Sequence, residues 1–111
     1  MSWQRQIIES LHDNVAKTES GGNTALDPDY SINLLTVTGA GAPTIADGEV
    51  VGQLLIVYCV ANSGADVATI TPATLKTYTT VVLDAKGEYV VFRWDGVQWV
   101  VVYLGRTAVA A

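Results

Sequence analysis

Cysteine, histidine and basic side chains are scarce in this chain of 111 residues, and each shortage removes a class of function. The single cysteine, Cys59, excludes an intrachain disulfide and a Cys-based zinc site within one chain. Its place between Tyr58 and Val60 predicts a buried, inert thiol. The only histidine, His12, stands beside Asp13 in a helix-like stretch, so a Ser-His-Asp site lacks a base near any strand. Six Lys and Arg stand against 11 Asp and Glu, a net charge of -5. Without a clustered basic surface the chain has no electrostatic footprint for nucleic acid.

Charge of either sign is sparse. Charged residues make up 15% of the chain, against about 25% in an ordinary soluble domain. Long apolar runs are missing too, and none approaches the roughly 18 residues of a membrane-spanning helix. The longest, residues 54–61, has the length of a strand. The N-terminal MSWQRQIIESLHDN puts polar residues where a signal peptide needs an apolar core. Half of the residues are hydrophobic, so the excess apolar surface is expected in a core or an interface.

What is present reads as one helix followed by strands. Trp3, Ile7, Ile8, Leu11 and Val15 recur on one stripe of a helix over residues 3–17, with Ser2 as its N-cap. Residues 18–30, TESGGNTALDPDY, read as a linker, and Asp27-Pro28-Asp29 as a turn rather than a calcium site. From Ser31 onward, runs rich in Val, Thr, Ile and Tyr alternate with Gly, Asp, Asn and Pro. Strands are predicted near 32–38, 43–46, 53–61, 66–71, 76–83, 88–94 and 97–104. The fold class is all-β: an antiparallel sandwich or small jelly-roll-like barrel of about seven strands, with an N-terminal α-helix arm. The domain plan is a helix arm at 1–17, a linker at 18–30 and a β-domain at 31–111.

Two strands have no wet face. In 97–104, Val97, Trp99, Val101 and Tyr103 alternate with Gln98, Val100, Val102 and Leu104, and 53–61 is apolar throughout. Asp95-Gly96 before the first of these predicts a two-residue hairpin turn. A domain of this size has little interior with which to cover a strand twice, so a second copy of the chain is the expected cover. The candidate interface is Trp3, Ile7 and Leu11 of the helix with Trp99, Val101 and Tyr103 of the last strand.

Catalytic constellations do not emerge. Asp47 with Glu49, and Asp84 with Glu88, are local carboxylate pairs beside Gly48 and Gly87, where turn chemistry accounts for them. Gly39-Ala40-Gly41 lacks the Lys-Ser/Thr of a phosphate loop. Neither an enzymatic activity nor a cofactor or metal is expected, and neither nucleic acid nor membrane is an expected partner.

The segments TIADGEVVGQ (44–53), ATITPA (68–73) and RWDGVQWV (93–100) together resemble small structural proteins of tailed bacteriophages. These include capsid decoration (cement) proteins and the β-modules of phage fibres. The resemblance implies a virion protein assembled in the host cytoplasm: a homotrimer on the capsid exterior that contacts the major capsid protein and bridges capsomers. The alternative it implies is a fibre or receptor-binding module, with exposed aromatics such as Tyr78 or Trp94 contacting host glycan.

Overall fold

The computed structural model describes residues 16–20, 24–39, 41–62 and 67–111, which form ten strands in two five-stranded sheets. In chain order they are β1 (Ala16–Ser20), β2 (Ala25–Leu26), β3 (Ile32–Val37), β4 (Thr44–Ile45) and β5 (Leu54–Asn62). They continue with β6 (Ala68–Pro72), β7 (Val81–Leu83), β8 (Tyr89–Trp94), β9 (Trp99–Gly105) and β10 (Val109–Ala110). Sheet one has the order β1-β3-β5-β8-β9 and sheet two the order β10-β7-β6-β4-β2. The sandwich and the all-β class agree with the sequence reading, and each of the seven predicted strands has its counterpart in β3 to β9.

The strand directions differ from the antiparallel expectation. Through β6 the chain changes sheet after every strand, so odd-numbered strands collect in sheet one and even-numbered strands in sheet two. Successive strands within a sheet then run the same way: β1, β3 and β5 pair in parallel, as do β2, β4 and β6. Parallel neighbours usually need a long crossover, commonly a helix. Here the opposite sheet is the crossover, which short connections can reach. From β6 onward the chain turns back on itself, and β5-β8, β6-β7, β8-β9 and β7-β10 are antiparallel.

The sandwich also begins earlier than the domain plan placed it. β1 occupies the last two residues of the predicted helix and the first three of the predicted linker, and β2 lies wholly within that linker. AKTES is a polar edge strand with one neighbour, the kind of strand whose composition resembles a loop. The remainder of the predicted helix, residues 3–15, lies outside the described residues.

Period-two alternation builds the core. Asn33, Leu35 and Val37 of β3, Leu55, Val57 and Cys59 of β5, and Val90, Phe92 and Trp94 of β8 face inward. Leu26, Ile45, Ala68, Ile70, Val81 and Leu83 meet them from sheet two. Trp99 is fully buried; its ring lies 5.3 Å from Trp94 and 6.3 Å from Phe92 in edge-on contacts, and its indole N–H donates to the Ala46 carbonyl at 2.9 Å.

Candidate functional site

No group of three or more His, Cys, Asp and Glu converges among the described residues. Of the two carboxylate pairs singled out in the sequence, Asp84 with Glu88 ties turns together, and Asp47 accepts the Thr74 hydroxyl at 2.8 Å. Glu88 is fully buried; its carboxylate accepts the backbone N–H of Asp84 at 2.5 Å and of Ala85 at 2.9 Å, and the hydroxyl of Thr107. It thereby clips the β7–β8 turn to the β9–β10 turn. Burial raises its pKa, but the Thr107 hydroxyl and the two backbone donors outweigh that and hold it below the ordinary glutamate value. Asp84 is raised by its hydrogen bond to Glu88 and by the Glu88 charge. Cys59 is buried, and burial with the nearby Glu88 charge pushes its thiol up, away from the reactive thiolate.

Asp27-Pro28-Asp29 is a turn, closed by the Asp29 N–H donating to the Asp27 carboxylate at 3.0 Å. The buried Asn33 side chain secures it, accepting the Asp27 N–H and donating to the Asp27 carbonyl, both at 2.9 Å. A shallow groove of about 560 Å³ lies at the ends of β2, β4 and β6, lined by small and hydroxyl residues such as Ala25, Thr44, Thr71 and Ala73. None of its lining residues is charged, so it holds no acid or base for catalysis.

The surface that stands out is the outer face of sheet one. The two strands expected to lack a wet face, β5 and β9, lie in the same sheet on either side of β8. Their second faces join into one apolar surface. Register places Ile32, Ile56, Val91 and Tyr103 in one row, and Leu34, Tyr58, Tyr89 and Gly105 in the next. The rings of Tyr58 and Tyr89 stack at 6.0 Å, and those of Tyr89 and Tyr103 at 5.9 Å. Tyr103 is 58% exposed.

Tyr103 reaches this face because of a β-bulge. Phe92 pairs with Val101 and Val91 with Tyr103, so Val102 is an extra residue on β9. Strict alternation would have put Trp99, Val101 and Tyr103 on one face. Instead Trp99 and Val101 turn to the core, and Tyr103 and Val102 turn outward. The structure therefore does not unite the predicted interface residues of β9: Trp99 is core, Val101 packs against the core, and only Tyr103 is outside. Trp3, Ile7 and Leu11 lie outside the described residues.

The turn before β9 also departs from expectation. Trp94 pairs with Trp99, leaving a loop of residues 95–98 rather than a two-residue turn. The Asp95 carboxylate accepts the N–H groups of Val97 and Gln98, both at 2.9 Å, and these hold its pKa below the usual range. Gly96 supplies φ of 102°. The loop carries Val97, 74% exposed, and its Gly96 lies against Val51 (67%) of a second loop that also carries Val50 (66%). Gln53 shapes that second loop, accepting the N–H of Glu49 at 2.9 Å and donating to the Pro28 carbonyl at 2.7 Å. Leu54, exposed at the start of β5, pairs with the exposed Arg93 on the outer face of sheet one, next to this valine tip. Sequence reading missed the tip because Asp47-Gly48 and Asp95-Gly96 look like ordinary turns; the signal was the apolar residues standing beside them.

The aromatics suggested for glycan contact divide in the same way. Trp94 is only 5% exposed and belongs to the core, whereas Tyr78 is exposed.

Two sheets wound in parallel and then closed by hairpins, with an apolar outer face on sheet one, define a β-sandwich. The family model for the phage depolymerase C-terminal beta sandwich domain matches residues 11–100, and the chain belongs to that family. It is a bacteriophage β-structural domain. No curated protein and no solved structure matches it.

Proposed function

We propose that this chain is a virion module of the tail-fibre or receptor-binding kind, which works by binding and not by catalysis and assembles with copies of itself. The family carries the first part of this reading, since its name attaches such sandwiches to a phage depolymerase. The observation that supports self-assembly is the valine tip. Val50, Val51, Val97 and Leu54 expose apolar side chains together at one end of the sandwich, and exposed apolar patches of this kind mark contact sites. Trp99 and Val101 of the expected interface lie in or against the core while Tyr103 stays outside, and this tip is the contact proposed in addition, with the homotrimer as the expected assembly.

Capsid decoration, the leading expectation from the sequence, shares the virion location and the self-assembly. The depolymerase family favours the tail, and for that reason the capsid exterior and the major capsid protein become the second choice. Mild disruption of purified particles, followed by separation of capsids from tails, decides the matter. The chain is expected in the tail fraction; stoichiometric recovery with tail-free capsids overturns the tail assignment in favour of decoration.

A further inference from the structure

We propose that the three tyrosines on the outer face of sheet one form a binding platform for an acidic polysaccharide. This deepens the receptor-binding reading above, on which it rests, by naming a ligand class and the residues that take it. Tyr58, Tyr89 and Tyr103 stand on β5, β8 and β9. The planes of Tyr58 and Tyr89 differ by 22°, and those of Tyr89 and Tyr103 by 25°. A Cβ built on Gly105 would lie 2.1, 2.3 and 2.4 Å from Cε1, Cδ1 and Cζ of Tyr89. Near-equal distances to three successive ring atoms mean that the glycine meets the face of the ring and not its edge. Tyr89 therefore lies flat along the sheet, and its two neighbours, nearly parallel to it, lie beside it at 6.0 and 5.9 Å.

A row of flat aromatic faces takes a ligand that is flat and apolar on one side. Pyranose rings have that form. Their C–H bonds, polarised by the neighbouring oxygens, lie against the electron-rich face of a tyrosine, while their hydroxyls stay in water or reach a phenol O–H. Rings set side by side engage successive units of a sugar chain. Tyr58 and Tyr89 are half-buried and held in place before binding, which lowers the cost of ordering them. Charge narrows the class. Arg93 is the only charged residue in β3, β5, β8 and β9, and it lies exposed two residues beyond Val91 on the same face of β8. Arg106, also exposed, follows Gly105 at the other end of the platform, its side chain against Gly87. A chain of net charge -5 thus places no acid on these four strands and a cation beyond each tyrosine row. Two cations are too few for the basic groove that tracks a nucleic acid backbone, and suit the spaced carboxylates of a uronic acid polymer.

Calorimetric titration of the full chain with oligogalacturonate, a carboxylated probe, and with a dextran oligosaccharide of equal length, a neutral one, is the test. Oligogalacturonate is expected to bind more weakly as salt rises, and dextran to bind at least about tenfold more weakly than oligogalacturonate. Tyr103→Ala, at a position 58% exposed, is expected to keep the fold and weaken oligogalacturonate binding about tenfold. Arg93→Gln is expected to remove most of the preference over dextran, and Tyr78→Ala, outside the four strands, to change neither affinity. Absence of oligogalacturonate binding, equal affinity for dextran, or binding that survives Tyr103→Ala overturns the proposal. An oligomer that Tyr103→Ala reduces to a monomer by light scattering, with no saccharide bound, gives the face to a second copy and overturns it too. Failure of the virion reading is told apart by the particle fractionation: recovery with capsids removes only the tail assignment. A tail-borne chain that binds no oligogalacturonate removes only the platform.

Discussion

The ring of Tyr89 lies directly over Gly105, so that a methyl group built on the glycine would stand 2.1 Å from the tyrosine Cε1. The two residues are paired across β8 and β9. Absence of a side chain at position 105 is what lets Tyr89 lie flat between Tyr58 and Tyr103. Gly105→Ala forces the ring away and breaks the stack. A loss of about 1–3 kcal/mol is expected from such overpacking, measured by denaturant unfolding. Combining Gly105→Ala with Tyr89→Ala is expected to recover part of the alanine's cost, as a double-mutant cycle reports.

Glu88 makes stability depend on acid. Its pKa in the fold lies below the ordinary 4.5, so the unfolded chain binds the proton more readily. The contribution is complete above about pH 5 and is lost as pH falls below 4.5 and through the folded value. Melting temperature is expected to drop across that window, and Glu88→Gln to flatten the drop. Glu88→Ala leaves two backbone N–H groups and the Thr107 hydroxyl without their acceptor, at a cost of about 3 kcal/mol.

The valine tip and the core of β9 respond differently to charge. Val50→Lys with Val97→Lys is expected to leave the fold intact and to reduce the chain to a monomer by light scattering. Val101→Lys places an ammonium against the core and is expected to abolish folding. Thr79→Lys, on an exposed stretch, is expected to be tolerated. An oligomer that survives both tip substitutions moves the contact elsewhere.

Trp94 serves as a control for any glycan binding. Trp94→Ala is expected to cost about 3–5 kcal/mol, because it empties the space beneath Trp99. Tyr78→Ala is expected to leave stability nearly unchanged, so a loss of glycan-array signal from that variant reports contact and not unfolding.

Much of this arrangement was legible from local pattern. The strands β3 to β9 follow from runs of β-branched and aromatic residues between turn formers, and the burial of Cys59 follows from its neighbours. The bulge at Val102 was not legible, because one extra residue leaves no mark in an unbroken run of valines. Nor was the buried role of Glu88, since a glutamate beside Gly87 in a turn looks solvated until Thr107 arrives from another turn.

The apolar second faces of residues 53–61 and 97–104 were a property of sequence alone, since strand periodicity dictates which side chains share a side. That these faces lie two strands apart in one sheet, with Tyr89 between Tyr58 and Tyr103, was decided only by tertiary structure. Strand order and parallel direction depend on where the chain crosses between sheets, and pairings distant in sequence are not encoded in any local run. The sequence determined that this chain carries more apolar surface than its own interior can bury. The fold decided where that surface is: on the outside of one sheet and at the tip of two loops.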